Sequence, residues 1–158
     1  MNTQIFANNH QSKQSAQRTV HLFVFDTLSD WESGYAIAGI NNPVFQTRPG
    51  HYRVRTVGVR TAPVTTMGGV MVLPDAALDS LEPAASAMLI LPGGTARDEG
   101  KHRAAAEKAR QFLAADVPVA AICGATAGLA RAGLLDDKRH TGNARDYLQA
   151  THYGGTDV

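Results

Sequence analysis

The sequence predicts an α/β fold in which a mostly parallel sheet is sandwiched between helices. Three apolar runs, at 20–25, 87–91 and 117–122, have the length and composition of buried strands. Segments with helical patterning lie between these runs, and this alternation is typical of a parallel sheet covered on both faces. Right-handed crossovers would then place the carboxyl ends of the three strands on one edge, where open sheets bind ligands.

The first half of the chain predicts one long strand, one helix and a hairpin. The strand at 20–25 leads into a helix over 31–40, where Ser29 and Glu32 form a capping box. The sequence Asn41-Asn-Pro43 ends this helix. Three further elements are predicted in order: a strand at 52–59, a hairpin within 61–73 that turns at Gly68-Gly69, and a short helix capped by Pro74-Asp75 and ending near Leu81.

The second half predicts the central strand and the helices that follow it. The fully apolar run at 87–91 is typical of a strand buried on both faces. A helix over 103–115 presents one apolar face, formed by Ala105, Ala109, Phe112 and Leu113. A strand at 117–122, a short helix ending at Gly133 and a helical segment at 146–150 complete the predicted elements.

Length and charge indicate one domain that does not bind nucleic acid. A chain of 158 residues is long enough for a single core. We expect residues 1–18, which are polar, to be a disordered tail, and residues 19–158 to form the domain. The formal net charge is +1 and the basic residues are scattered, so no nucleic-acid footprint is indicated.

The single cysteine and the absence of long apolar runs predict a cytoplasmic protein that does not enter a membrane. One cysteine forms no internal disulfide, which is consistent with a reducing compartment. No apolar run reaches the length of a membrane span, and none follows Met1 as a secretory signal would.

Cys123 lies at the predicted junction between the third strand and the helix that follows. Ala121 and Ala125 flank it two residues away on either side, and Gly124 follows directly. Small residues at these positions permit the tight strand-turn-helix elbow that displays a nucleophile. The start of the helix favours a thiolate at this place. The alternative is that Cys123 is a small hydrophobic residue at the end of a buried strand.

Four stretches together resemble the ThiJ/PfpI family, within the flavodoxin-like, class I glutamine-amidotransferase-like fold. The resemblance covers about residues 19–150. The four stretches are Asp30-Trp-Glu-Ser-Gly34, Val72-Leu-Pro-Asp75, Leu91-Pro-Gly-Gly94 and Ala120-Ala-Ile-Cys-Gly-Ala125. The family comprises peptidase- and amidase-like hydrolases, glyoxalase- or deglycase-type enzymes and stress-response proteins. By comparison with the family, we expect the chain to lack its last strand and helix.

The resemblance implies a role for each residue of the predicted site. Cys123 would be the nucleophile, Glu32 its acidic partner, and the N–H groups of Gly94 and Gly124 an oxyanion hole. Gly93 would let the backbone approach a ligand closely. For Glu32 the alternative is that it only caps its own helix.

The sequence departs from the peptidase-like members of the family in its histidines. Those members have a histidine directly after the cysteine, where this chain has Gly124. In other members a partner histidine lies in the segment that matches 139–144. Here His140 is a candidate general acid or base, with a surface histidine as the alternative. Asn143 is the better positional match and is predicted to lie in the pocket.

These residues support two main functional hypotheses. The first is a cysteine-dependent enzyme acting on a small carbonyl or amide substrate, and the second is a stress-response protein that senses oxidants through Cys123. A nucleotide-binding module is disfavoured because no Gly-x-Gly-x-x-Gly loop follows a strand. We predict no metal and no cofactor, and we expect a homodimer from the small-residue helix faces and from the resemblance.

Overall fold

The centre of the fold is a parallel sheet of five strands. A computed structural model describes residues 16–155. Within this range the strands of the sheet are β1 (Arg18–Phe23), β2 (Tyr52–Gly58), β5 (Ala76–Ala77), β6 (Ser86–Leu91) and β7 (Val119–Ala121), and their order across the sheet is β5-β2-β1-β6-β7. A separate antiparallel hairpin pairs β3 (Val64–Thr65) with β4 (Met71–Val72). The predicted fold class is therefore confirmed.

Five α-helices flank this sheet in the described part of the chain. They are α1 (Asp30–Asn41), α2 (Thr95–Asp98), α3 (Arg103–Ala114), α4 (Ala125–Arg131) and α5 (Arg145–Gln149). The crossover from β1 to β2 runs in the opposite direction across the sheet to the crossover from β6 to β7. Because both crossovers are expected to be right-handed, α1 and α3 cover opposite faces.

The change of direction between β1 and β6 places a crevice at the carboxyl edge of the sheet. In open α/β sheets, ligands bind outside the carboxyl ends of the strands at such a switch point. The loops after β1, β6 and β7 all leave the sheet at this edge, because these three strands are parallel neighbours. The predicted gathering of three strand ends is therefore confirmed.

The core consists of side chains from these strands and the helices on both faces. Phe23, Leu89, Leu91 and Phe112 are completely buried. On α3 the buried positions are Ala105, Ala106, Ala109 and Phe112. Leu113, predicted to share this face, is instead 38 % exposed because it lies one position further round the helix, towards solvent.

The short helix predicted before Leu81 was wrong. Residues 76–77 instead form β5 at the edge of the sheet, followed by a single 3₁₀ turn at Leu78–Ser80. The cause is Asp75, whose carboxylate accepts hydrogen bonds from the Thr56 N–H at 2.7 Å and the Thr56 hydroxyl at 2.9 Å. These bonds hold the segment in register with β2 and replace the expected helix cap.

The boundary of the predicted tail lies close to the start of the sheet. The first strand begins at Arg18, one residue before the predicted domain boundary. The expected disorder of the tail concerns residues that lie mostly outside the described range. The structure contains a single chain, so the expected homodimer stays a prediction.

One buried histidine, His21, and one half-buried histidine, His102, predict that the protein loses stability in mild acid. Burial lowers the pKa of His21, with smaller contributions from Arg55 and Arg53, while Asp75 raises it. Burial likewise lowers the pKa of His102, helped by Arg97 and Lys101 and opposed by Asp26. Since unfolded histidines titrate near 6.5, the folded chain resists protonation below that value.

We therefore expect the free energy of unfolding to fall as the pH drops below about 6.5 towards the lowered folded-state pKa values. Urea denaturation between pH 7.5 and 5 measures this slope. His21→Asn keeps a polar side chain that can pair with the Ser86 hydroxyl, which lies 2.9 Å from His21 Nδ1, and should reduce the slope. His152→Gln, at an exposed position, is the matched control. Equal slopes for His21→Asn and the unsubstituted chain would contradict this assignment.

Candidate active site

Cys123 occupies a strained turn between β7 and α4. Its φ angle is +50°, which non-glycine residues rarely adopt. Hydrogen bonds on both sides hold this conformation: the Ile122 N–H donates to Leu91 O at 2.9 Å, and the Ala125 N–H donates to Ile122 O at 3.0 Å. The Thr126 hydroxyl also donates to Cys123 O at 2.7 Å. The cysteine is exposed, so it does not act as a buried hydrophobic residue.

The small residues around Cys123 fit the tight space of this turn. Ala125 is completely buried at the start of α4, and Gly124 is buried beside it. A larger side chain at position 125 would have to displace core atoms, so the small-residue pattern of the sequence has a direct steric basis. The nucleophilic role of Cys123 stays a prediction.

Glu32 lies in the first turn of α1 and points its carboxylate at the end of β6. Its Oε2 atom accepts a hydrogen bond from the Gly93 N–H at 2.5 Å. Ser29 is the N-cap residue, but its side chain makes no capping hydrogen bond. Its backbone N–H, which a capping box would direct to Glu32, donates instead to Gly93 O at 3.1 Å. The predicted capping box was therefore wrong.

Gly93 is the position where three segments of the site meet. A Cβ atom built on Gly93 would lie 2.7 Å from the Gly124 nitrogen and 2.9 Å from each carboxylate oxygen of Glu32. Real Cβ atoms do not approach other atoms this closely, so only glycine fits here without displacement. The end of β6, the start of α1 and the Cys123 turn are therefore packed against one another.

Gly94 lies next to this contact in a conformation that favours glycine. Its φ angle is +152°, and a Cβ atom there would lie 2.3 Å from Thr27 O. Within residues 16–155, neither the Gly94 N–H nor the Gly124 N–H has a hydrogen-bond acceptor. Both donors are thus available at the carboxyl edge of the sheet, as an oxyanion hole requires. This role also stays a prediction.

The loop between β1 and α1, at 26–30, is fixed from two sides. The hairpin holds it through the Thr65 N–H to Asp26 Oδ1 at 2.8 Å and the Gly68 N–H to Asp30 Oδ2 at 2.7 Å. The turn after β6 holds it through the Ala96 N–H to Thr27 Oγ1 at 3.0 Å. These bonds position α1, and with it the carboxylate of Glu32.

Asn143 contacts the sulfur of Cys123 directly. Its Nδ2 group donates to Sγ at 3.2 Å. A neutral amide supplies a hydrogen bond that favours a thiolate, but it cannot accept the thiol proton as a histidine would. The structure thus brings Asn143 to the predicted site.

His140 makes its contacts away from the sulfur. Its Nε2 atom lies 2.5 Å from the Tyr153 hydroxyl, and its Nδ1 atom lies 3.3 Å from Thr141 O. Within the described residues, neither a histidine nor Glu32 is hydrogen bonded to Cys123 Sγ. The general acid or base role of His140 and the proton shared by Glu32 and Cys123 stay predictions.

Two supporting residues of the site were not singled out from the sequence. Thr126 bonds the backbone carbonyl of Cys123, and Asp30 ties the hairpin to α1. Thr126 follows the cysteine by three residues, a spacing at which a side chain reaches back to a turn carbonyl, so a local signal was present. The partner of Asp30 is distant in sequence, and no local pattern indicates it.

The described residues contain neither a metal cluster nor a membrane span. No group of three His, Cys, Asp or Glu side chains among them is arranged to hold a metal ion. In the same part of the chain, no helix is both long and apolar enough to cross a membrane.

The fold and the site define the class to which this protein belongs: parallel α/β proteins with an exposed cysteine at a strand-to-helix turn and an acidic residue bonded to the end of the neighbouring strand. The chain belongs to the DJ-1/PfpI family, whose family model matches residues 18–157. The resemblance noted from the sequence is thereby confirmed.

Similar proteins include two that are named as proteases and two of known structure. "Uncharacterized protease YoaZ" of Bacillus subtilis is 42 % identical over 83 % of this chain, and "Uncharacterized protease YdeA" of the same organism is 33 % identical over 80 %. This chain spans 63 % and 61 % of their respective lengths.

A thiJ/pfpI family protein from Bacillus anthracis has a TM-score of 0.78 at 40 % identity, with 89 % of this chain and 69 % of that chain covered. The DJ-1 superfamily protein Atu0886 from Agrobacterium tumefaciens has a TM-score of 0.78 at 28 % identity, with 88 % and 71 % covered.

Alanine substitutions at Gly93, which is crowded, and at Gly34, which is not, should change the free energy of unfolding in opposite directions. Gly93→Ala should lower the free energy of unfolding by about 1–3 kcal/mol, because its methyl group presses on the Gly124 nitrogen and on Glu32. Gly34→Ala is the matched control, since nothing lies within 4 Å of its Cβ position in the middle of α1. It should raise stability by about 0.5–1 kcal/mol.

Urea denaturation of both variants at pH 7 measures these effects. A Gly93→Ala variant as stable as the unsubstituted chain would show that the three segments are not packed as described.

Proposed function

We propose that this protein is a cysteine-dependent enzyme that acts on small carbonyl compounds, with Cys123 as its nucleophile. The observation that supports this most directly is the exposed Cys123 side chain at a strained turn, next to two backbone N–H groups without acceptors in the described chain. Strain at an exposed reactive residue is a recognised feature of catalytic sites. Membership of a family whose relatives here are named proteases is consistent with hydrolase-type chemistry.

The proposed reaction begins with attack of the Cys123 thiolate on an aldehyde carbon. A carbon–sulfur bond forms and the carbonyl π electrons move to oxygen, where the N–H groups of Gly94 and Gly124 stabilise the charge. Protonation of this oxygen gives a hemithioacetal. For a 2-oxoaldehyde, the Glu32 carboxylate then moves the proton of the former aldehyde carbon to the adjacent ketone carbon, while the hydroxyl proton passes to the former ketone oxygen, and this isomerisation yields a thioester. Water hydrolyses the thioester, releases a 2-hydroxy acid and regenerates the thiol.

The absence of a histidine on the sulfur within the described residues favours aldehydes over peptides. Peptide cleavage expels an amine, which leaves poorly unless a general acid protonates it. The Asn143 amide contacts the sulfur by a hydrogen bond, but it cannot transfer a proton to a leaving amine at neutral pH. Loss of general acid or base assistance typically costs about 10²–10⁴-fold in rate. We therefore propose little peptidase activity.

The second candidate is a redox sensor that works through reversible oxidation of Cys123. Its support is the exposure of the thiol together with the Asn143 amide, which would stabilise an oxidised, anionic sulfur by a hydrogen bond. In this case peroxide oxidises the thiolate by two electrons to a sulfenic acid and is itself reduced to water. A sensor would oxidise selectively but would show no turnover of carbonyl substrates.

A panel of substrates separates these functions. The full chain should consume methylglyoxal with multiple turnovers and cleave chromogenic amides and peptides weakly or not at all. Cys123→Ser should abolish the methylglyoxal activity. Glu32→Gln should reduce it by about 10²-fold or more, because the amide still accepts the Gly93 N–H but cannot transfer a proton.

The Gly34→Ala variant serves as the control for a substitution in α1 near Glu32 that touches no other residue, and it should retain full activity. Efficient peptide cleavage that disappears in Cys123→Ser would overturn the preference for carbonyl substrates. Selective peroxide oxidation of Cys123 without turnover of any substrate would favour the redox sensor.

A further inference from the structure

A cavity lies between α3 and α4, and Cys123 is not among the residues that line it. Its volume is about 350 Å³, which is within the range of pockets for small-molecule ligands. The first residues of α3 and the end of α4 line it, and none of the residues of the cysteine site does. The proposed function gives this cavity no role.

The lining of the cavity is strongly cationic. Four basic side chains, those of Lys101, Arg103, Arg110 and Arg131, face a single carboxylate, that of Glu107. This concentration is notable in a chain whose formal net charge is only +1. Lys101 pairs with Glu99 at 2.7 Å and Arg110 with Glu107 at 3.2 Å, but both pairs are solvent exposed. Exposed pairs contribute little free energy, so Lys101 can turn towards an incoming anion, while Arg110 stays at the cavity through a further hydrogen bond to Ala132 O at 2.6 Å.

The start of α3 opens into the same cavity. The N-cap residue His102 has a φ angle of +63° and gives no side-chain hydrogen bond to the first N–H groups of the helix. His102, Arg103 and Ala104 all line the cavity. Free N–H groups at the start of a 12-residue helix attract anions through hydrogen bonds and through the helix dipole.

A buried arginine lies directly behind the cavity wall. Arg97 is only 1 % exposed, and its Nε and Nη2 groups have no hydrogen-bond partner among the described residues. Its Nη1 group lies 3.2 Å from the Cβ position of Gly128, which lines the cavity. The guanidinium carbon lies 5.2 Å from the ring centre of Phe23, and His102 packs against the same ring.

The charge of Arg97 is retained at neutral pH. Burial lowers the pKa of Arg97 to about 10, so the guanidinium remains protonated. Among the described residues Arg97 has aromatic rings but no carboxylate as partner; a buried cation without an anionic partner is costly, and a nearby anion would offset part of that cost. The buried guanidinium thus favours an anion in this cavity independently of the exposed basic residues.

From these observations we propose that the cavity between α3 and α4 binds the phosphate group of a small anionic molecule. The basic side chains and the N–H groups at the start of α3 contact the phosphate oxygens, and Arg97 adds positive charge from beneath. Arginine side chains and helix N-termini are the usual partners of phosphate in proteins.

Titration with inorganic phosphate at constant ionic strength tests this proposal. Calorimetry and the thermal midpoint of the full chain should both show saturable binding, and chloride at the same ionic strength should give none. Glycerol 3-phosphate should bind more tightly than inorganic phosphate if the cavity also holds the organic part of the ligand, and equally if only the phosphate group is bound.

A pair of variants at Ala104, an exposed residue in the first turn of α3 that lines the cavity, supplies the control. Ala104→Glu places a negative charge in the cavity and should weaken phosphate binding about tenfold or more. It should still fold, because an acidic residue is favourable in the first turn of a helix. Ala104→Gln fills the same space without the charge and should bind nearly as well as the unsubstituted chain.

Two outcomes would overturn the proposal. The first is the absence of saturable phosphate binding to the unsubstituted chain. The second is equal phosphate affinity of the Ala104→Glu and Ala104→Gln variants, which would place the bound phosphate elsewhere.

Discussion

The hydrogen bond between the Gly93 N–H and the Glu32 carboxylate connects the parts of the site. It joins the start of α1 to the end of β6, at a position where a Cβ atom would strike the Gly124 nitrogen. The loop at 26–30 is tied to the hairpin on one side and to the turn after β6 on the other. The acidic residue and the cysteine turn are therefore held by the packing of the whole sheet edge.

This arrangement concentrates conformational strain where chemistry is expected. Cys123 has a positive φ angle, and Gly94 adopts one that only glycine tolerates well. For the non-glycine residue Cys123 this conformation costs on the order of 1–3 kcal/mol, which the surrounding core must offset. The completely buried Ala125, Leu91 and Phe112 belong to that core, so the strained turn is built on a rigid support. A rigid support lets the thiol stay exposed without losing its orientation.

The sequence predicted the fold class because the fold depends on local patterns. Apolar runs of strand length identified β1, β6 and β7, and crossover handedness placed their ends together. Small residues two positions either side of Cys123 predicted a nucleophile elbow there; the structure places Cys123 between β7 and α4 with a φ angle of +50°, and the elbow's role stays a prediction.

The failed predictions concern contacts between residues distant in sequence. The spacing of Ser29 and Glu32 predicts a capping box. In the structure the Ser29 N–H donates to Gly93 O instead, and the Glu32 carboxylate accepts from the Gly93 N–H. A strand forms in place of the helix expected after Asp75, because the Asp75 carboxylate accepts a hydrogen bond from the Thr56 N–H of β2 instead of capping a helix. The buried Arg97 could not be foreseen either, since its burial depends on rings from β1 and the loop after it.

The central claim is that the turn presents Cys123 as an activated thiol. It is tested most directly by the rate of alkylation with iodoacetamide as a function of pH. Because Cys123 is the only cysteine, the reaction reports on this site alone. We predict alkylation well below pH 8.5, faster than that of a free cysteine peptide, whose thiolate fraction at pH 7 is only a few per cent. Replacing Asn143 by alanine should slow it, since the hydrogen bond to the sulfur is lost. A rate that follows that of the free peptide across the whole pH range would contradict the account.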